Sequence, residues 1–382
     1  MNPLAHSVEL PVEAPARVLA CGAYLKNRAC LLDGRQAHWS ALHGDLDSAD
    51  NRMALSQSIE ALQTLASGPI QAIAHDLHPD FYSTQVAQTL AQERGVPAIA
   101  VQHHHAHIAV GIAELGLEDA VVGAALDGMG WGSDASAWGG EVLWLGGTGQ
   151  AQHWLRLAHL PALALPGGDA AAREPWRMAA SVLHTLGRGS EIEARFGDVA
   201  GGSSARLLHT LLQRQLNCPQ STSAGRWFDA AAGALGICTH QSHEAQAAMA
   251  LERMAAQWLA RHHTDTLAFD VSANKVPDMF TVVADLFDLA GGTPEALGKG
   301  AADFHIALAN TLAQAIVAGA QRHNTQQVVL GGGCFVNQTL RHLLEARLQQ
   351  SGLTTLTPRS TDLGDAGLAV GQAWIAAFSL EK

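Results

Sequence analysis

Short apolar runs alternate with stretches of helical spacing along most of this chain, and that alternation confines it to a layered α/β fold. Runs at Arg17–Ala23, Arg28–Leu32, Gln36–Leu42, Pro69–His75, Ala98–Gln102 and Ala120–Leu126 have the length and apolar content of buried strands. Between them, residues 48–66 repeat Met53, Leu55, Ile59, Leu62 and Leu65 at helical spacing. Further helices are expected at 83–94 and from His103 through Leu115. From about residue 170 to 265 the pattern is almost wholly helical, at 173–186, 205–216, 227–235 and 244–261. The alternation then resumes, with strands at Leu267–Val271 and Val328–Leu330 and helices at 277–289, 303–318, 336–349 and 366–378. The expected organisation is a lead-in over 1–16, a first α/β lobe over 17–169, a helical segment over 170–265 and a second lobe over 266–382.

Composition narrows the function classes. With 382 residues, 48% hydrophobic and 15% charged, the chain can bury a large core and is not globally disordered. A net charge of −12 disfavours nucleic acid as the principal partner, because phosphate-backbone binding calls for clustered Lys and Arg. No uninterrupted apolar run approaches the roughly 18–20 residues of a spanning helix, so no membrane association is expected. The N-terminus has no basic segment followed by an apolar stretch, and a cytoplasmic location is the expectation. The five cysteines are scattered with no C-x-x-C pair, which argues against a disulfide framework and a zinc finger.

The densest chemistry is in Gln102-His103-His104-His105-Ala106-His107, where four imidazoles open a helix directly after a strand. Positions i and i+4 share a helix face, so His103 and His107 can grip one metal ion. His104 and His105 point elsewhere, to ligand or to support. A third ligand must come from another segment. Asp127, where an apolar strand meets a glycine-rich turn, is one candidate, and Asp365, at the mouth of a late helix, is the other. A mixed His/carboxylate set suits Zn, Fe(II) or Mn.

Two glycine-rich segments offer bare amides to an anion or nucleotide: Asp127–Gly132, with Gly128 and Gly130, and Gly331-Gly332-Gly333, which leads toward Asn337. Neither is a Walker loop. Asp229 and Glu244 read locally as ordinary carboxylates near helix starts, with ribose contact as the alternative for Asp229. Arg173, in Arg-Glu-Pro-Trp-Arg, reads equally as an anion contact or part of an ion-pair cluster. His75 and His78, beyond another buried strand, are exposed turn imidazoles or acid–base groups. Cys334 reads as packing.

Taken in order, LKN (25–27), GDL (44–46), HDLHP (75–79), QHHHAH (102–107), LDGMGWG (126–132), WGGE (138–141), LPGGD…REPWR (165–177), SAGRWFDAAA (223–232), GGGCFVNQTL (331–340) and GDAGLAVGQ (364–372) resemble the C-terminal, TsaD-like part of the HypF family of hydrogenase maturation carbamoyltransferases. The resemblance runs from about residue 17 to 378. It implies a two-lobed, actin-like (ASKHA) fold with a nucleotide between the lobes. It implies a divalent metal, zinc or iron, on His103, His107, Asp127 and Asp365, and adenylate contacts around Gly225, Asp229, Glu244, Gly332, Gly333 and Asn337. Within that frame His104, His75 and Arg173 are the candidates for direct catalytic roles. The implied reaction moves a carbamoyl group from carbamoyl-adenylate, itself formed from ATP, to the C-terminal cysteine thiolate of a HypE-type partner, with release of AMP. Family members usually carry an acylphosphatase module, zinc-finger motifs and a YrdC-like domain before this part. The sequence from Met1 has none of these, so a separate protein that forms carbamoyl-adenylate is a second expected partner. The competing expectations are an O-carbamoyltransferase acting on a small hydroxyl acceptor and a non-enzymatic nucleotide- and metal-binding scaffold.

Overall fold

The apolar strands gather into two sheets, seen in a computed structural model that describes residues 3–262 and 278–380. The first sheet holds β1 (Leu4–Glu9), β2 (Val18–Ala20), β3 (Cys30–Asp33), β4 (Gln36–Ser40), β5 (Ala72–Asp76) and β6 (Ala98–Val101), in the order β1-β4-β3-β2-β5-β6. Its β1–β4–β3–β2 side is antiparallel, and β2–β5–β6 run parallel. The second sheet holds β7 (Val121–Trp131), β8 (Ala137–Leu145), β9 (Trp154–His159), β10 (Leu163–Ala164), β11 (Gln220–Ser221), β12 (Gln327–Gly331) and β13 (Thr354–Leu356). Its order is β10-β11-β8-β7-β12-β13, with β9 paired to β8.

The helices are α1 (Ala49–Leu65), α2 (Tyr82–Arg94), α3 (His103–Leu115), α4 (Ala170–Arg173), α5 (Pro175–Thr185), α6 (Ile192–Ala200), α7 (Gly202–Arg214), α8 (Ala224–Ala234), α9 (Gln246–His262), α10 (Met279–Leu286), α11 (Pro294–Arg322), α12 (Gln338–Gln350) and α13 (Leu368–Ser379). Two of them form the seam between the sheets. Helix α13 lies on β2, β3 and β5, α3 lies on β7, β8 and β12, and the two helices pack on each other. The contact is close because Gly371 has no side chain: a Cβ there would stand 2.0 Å from the Ala106 carbonyl oxygen, far inside van der Waals contact. This crossing brings the start of α3 beside the turn that enters α13. The result is an arrangement of two sheet-centred lobes joined through the α3–α13 seam, in keeping with the two lobes that the motif order implies.

The structure departs from the sequence expectations in several places. The lead-in is not loose, because β1 pairs antiparallel with β4 and Leu10, Ala14 and Ala16 are buried behind it. The strands between 121 and 164, expected in the first lobe, belong to the second sheet through the parallel pairing of β7 with β12. That pairing spans about 200 residues and leaves no local trace. The helix expected over 173–186 divides into α4 and α5 at Pro175, which has no N–H to continue the ladder. Helix α11 begins at Pro294 under a Thr293 cap, earlier than expected. It is long and apolar enough to cross a membrane by length and composition, yet 61% of its most apolar window is buried inside the protein. The strand expected at Leu267–Val271 lies outside the described residues.

Candidate metal centre and nucleotide cleft

Helix α3 starts abruptly because Gln102 caps it. Its side-chain oxygen accepts the His105 N–H at 2.8 Å, and its Nε2 donates to the Trp131 carbonyl at 3.0 Å, which ties the helix start to the end of β7. His103 and His107 then stand one turn apart with both Nε2 atoms aimed at one point, 3.2 Å from each other. Asp127 joins them from β7, where the ladder with β8 breaks register between Leu126 and Gly130. The expected glycine-rich turn is therefore a bulge inside a longer hairpin, and the bulge re-aims the carboxylate. Asp127 Oδ2 lies 3.2 Å from His103 Nε2 and 3.1 Å from His107 Nε2. Asp365, on the turn before α13, places Oδ1 3.5 Å from each imidazole Nε2. Both candidate third ligands are thus present together.

One donor atom from each of the four residues falls within 4.8 Å of the others. A tetrahedral cation with bonds of about 2.0–2.2 Å has donor–donor edges of about 3.3–3.6 Å. The histidine–carboxylate separations of 3.1–3.5 Å match that edge, so the donor set fits one divalent ion. Behind it, His103 Nδ1 bonds Asp76 Oδ2 at 2.7 Å, with both side chains buried. The second oxygen, Asp76 Oδ1, accepts the His78 N–H at 2.9 Å. A carboxylate on the far nitrogen fixes the tautomer that leaves Nε2 free as a ligand.

The electrostatics agree. Burial alone would lower His103, but the Asp76 carboxylate, with Asp365 and Asp127, holds it well above the usual imidazole range. Burial likewise opposes charge on His107, and its bonds to Asp127 and Asp365 raise it nevertheless. Burial would raise Asp127, yet the two imidazoles hold it well below the usual carboxylate range. The cluster attracts positive charge, as protons or as a cation.

Three backbone segments without side chains close on Asp127. A Cβ on Gly225 would meet the Gly128 Cα at 3.0 Å, one on Gly333 would meet Asp127 Oδ1 at 3.4 Å, and one on Gly364 would meet the Gly333 Cα at 3.6 Å. Ser223 caps α8 and donates to the Asp127 and Gly128 carbonyls at 3.0 and 2.5 Å, so the positive end of α8 abuts the bulge. The cleft therefore joins a metal-type donor set to a helix N-terminus and an open backbone. Some amides are already committed: Gly128 N–H donates to Asp127 Oδ1 and Gly332 N–H to the Leu363 carbonyl. Gly130 has a different task. A Cβ there would stand 2.7 Å from both His103 Cδ2 and His104 Cε1, so its bareness leaves room for the imidazoles.

The remaining candidates are placed as follows. Asp229 is buried; its Oδ1 accepts from Gln241, Arg226 lies 2.7 Å from its Oδ2, and burial lifts its pKa to about 6. Asn337 caps α12 through Oδ1, while its Nδ2 bonds the buried His305, so most of its polar capacity is used internally. Glu244 is exposed and pairs with Lys26 across the cleft. His104 is fully buried beside His103, and burial, then His103, holds it well below the usual range as a neutral imidazole. His75 is buried, with Nδ1 on the Asp76 carbonyl, outside the four-residue cluster. Arg173 is exposed. Its carbonyl accepts the Gln241 N–H at 2.8 Å, which sets it at the rim of the Asp229 pocket, and its side chain makes no ion pair among the described residues. Asp76, Ser223 and Lys26 were not singled out from sequence. Asp76 sits inside HDLHP and Lys26 inside LKN, which were the available signals.

Comparison with known proteins agrees with this layout. Residues 13–114 match the family described as HypF Kae1-like domain, and residues 123–372 match the Carbamoyltransferase, Kae1-like domain, second subdomain. The chain is 53% identical to "Carbamoyltransferase HypF homolog" of Cupriavidus necator over 365 residues, covering 95% of this chain and 92% of that protein. It is 44% identical to "Carbamoyltransferase HypF2" of the same organism, covering 97% of this chain and 47% of that one. Among solved structures, a full-length HypF in the phosphate- and nucleotide-bound form superposes with a TM-score of 0.84 at 28% identity, over 98% of this chain and 48% of that chain. The chain thus spans nearly all of one relative and about half of the other two.

Proposed function

The chain belongs to the HypF carbamoyltransferase family, and from that premise we propose that it transfers the carbamoyl group of carbamoyl-adenylate to the C-terminal cysteine thiolate of a HypE-type hydrogenase maturation protein. The observation that carries the reading is the convergence of His103, His107, Asp127 and Asp365 with the bare Gly225 and Gly333 backbone at the N-terminus of α8. A divalent ion held by those four residues supplies Lewis-acid polarisation of the carbamoyl carbonyl or phosphate oxygens. Asp76 keeps His103 in the ligating tautomer. The α8 dipole and the amides around the bulge favour the negative charge that develops on the departing phosphate. The acceptor sulfur bonds to the carbamoyl carbon, the carbon–oxygen bond to phosphate breaks, and AMP leaves with that electron pair.

An external nucleophile suits the cysteines of the chain. Burial holds all five thiols above their ordinary range, and at Cys334, beside the cleft, Asp127 adds to it. None of them is an activated thiolate. Asp229 and Glu244 are the ribose-facing groups in this reading, and Arg173 at the rim meets substrate or partner. Carbamoyl-adenylate is supplied by a separate activating protein or domain. The test offers synthetic carbamoyl-adenylate and the metal-loaded chain to two acceptors, a peptide ending in cysteine and a small polyol. Carbamoylation of the thiol is expected. Transfer to the hydroxyl alone would make the chain an O-carbamoyltransferase, and nucleotide binding without transfer to either would make it a scaffold.

A further inference from the structure

The turn between β2 and β3 is built more elaborately than a surface connection requires. Asn27 is fully buried, and its Nδ2 donates to the Cys21 and Ala23 carbonyls at 2.9 and 2.6 Å. Its Oδ1 bonds His43 Nδ1 at 2.8 Å, and His43 Nε2 bonds Ser58 Oγ of α1 at 2.8 Å. Backbone bonds join Asn27 to Gly44 and Leu46 to Tyr24, and Asp45 Oδ1 accepts the Lys26 N–H at 3.0 Å. Within this frame Lys26 is held at φ +45°, a left-handed conformation that costs a lysine roughly 1–2 kcal/mol. The LKN and GDL segments of the sequence are thus one device, and its product is the direction of the Lys26 side chain.

That side chain crosses from the first lobe to Glu244 ahead of α9, with Nζ 2.9 Å from Oε2 and 3.1 Å from Oε1. The two side chains are 53% and 63% exposed, so as an ion pair they contribute little stability. Stability therefore does not account for the strained, scaffolded turn. Lys26 also lies within electrostatic reach of Asp365 and Asp127, the two carboxylates of the metal centre. The cleft around it is rich in carboxylates, with Asp127, Asp365, Asp229 and Glu244, and is hostile to an anionic ligand unless cations face it. Arg226 is committed to buried Asp229. Among the described residues Arg173 stands unpaired at the rim, by the Asp229 pocket, while Lys26 reaches in from the first lobe and holds only the exposed, exchangeable Glu244.

We propose that Lys26 is the first lobe's anion-binding residue, which leaves Glu244 to hold the phosphate of the nucleotide substrate across the cleft. The exchange frees the Glu244 carboxylate to accept ribose hydroxyls, so one ion pair in the free protein becomes two substrate contacts. The inference rests on the nucleotide reading given above and names the phosphate subsite within it.

The test is calorimetric titration of the full chain with AMP and, separately, adenosine, for the wild type, Lys26→Met, Lys26→Arg and Glu244→Gln. A charged hydrogen bond to phosphate predicts that Lys26→Met weakens AMP binding roughly tenfold or more and leaves adenosine within about twofold. Lys26→Arg, which keeps the charge and the turn, retains most of the AMP affinity. Glu244→Gln leaves AMP binding as tight or tighter relative to adenosine, because Lys26 no longer has a competing carboxylate. Equal changes for AMP and adenosine in Lys26→Met, or no change in either, would overturn the proposal while leaving nucleotide binding intact. A wild-type chain that binds neither ligand would overturn the nucleotide reading itself, and this subsite with it.

Discussion

Replacing Asp76 by Asn probes the metal centre from behind without touching a ligand. Each carboxylate oxygen has its own donor: Oδ2 meets His103 Nδ1 at 2.7 Å and Oδ1 meets the His78 N–H at 2.9 Å. A carboxamide has one acceptor oxygen, so one of these contacts must face an NH2 group in a site where Asp76 is fully buried. If the amide keeps His78, its NH2 faces His103, Nδ1 must become an acceptor, and the proton moves to Nε2. The lone pair that would ligate the ion is then blocked. If the amide keeps His103, the His78 N–H is left unpaired at a cost of about 1–3 kcal/mol. Loss of such a supporting carboxylate lowers metal affinity about 10–100-fold, which is about 1.4–2.7 kcal/mol. The assay is competition for Zn(II) against a chromophoric chelator near neutral pH, with circular dichroism to establish the fold. An Asp76→Asn chain that binds zinc within about threefold of the wild type would refute this reasoning.

Three further outcomes follow from the same geometry. Gly130→Ala drives a methyl to 2.7 Å from both His103 and His104, which are buried and cannot swing aside; metal content by mass spectrometry should fall, with about 1–3 kcal/mol of destabilisation. The metal-free centre holds His103 and His107 above 6.5, so their protons stabilise the folded chain most below that pH and an incoming cation must displace them. The gain in melting temperature on zinc loading should therefore widen as pH rises past 6.5, and a gap that narrows would contradict the assignment. Asp229, lifted from 3.8 to about 6 by burial, contributes stability below pH 3.8 that is lost as pH rises through 6. The stability difference between Asp229→Asn and the wild type should accordingly move in the variant's favour by up to about 3 kcal/mol between pH 4 and pH 7 in urea unfolding.

How much of this was legible in the sequence depended on whether the signal was local. The i,i+4 pair His103/His107 is visible in five residues, because helical geometry alone puts both on one face. Asp127 and Asp365 were recognisable as carboxylates at an element end, but only the α3–α13 crossing at Gly371 shows that both reach the same point. Asp76 was hidden between two histidines that attracted more notice, and its role depends on β5 lying beside β6, a pairing no local pattern reveals. The assignment of β7–β10 to the second sheet was invisible for the same reason. β1 was passed over because its edge position leaves it mostly exposed, without the apolar run of a buried strand. His104 looked like a cleft residue because it sits among ligands, yet its place on the helix turns it into the interior.

The most direct test of the central claim is the intact mass of the C-terminal cysteine segment of the proposed HypE-type partner. The partner is incubated with this chain, ATP and carbamoyl phosphate, with and without the separate activating domains of a relative. The account predicts a carbamoyl adduct on the cysteine only when those domains are present, and its loss when His107 is replaced by alanine. An adduct formed without them would contradict the division of labour, and an adduct that survives the His107→Ala substitution would contradict the assigned centre.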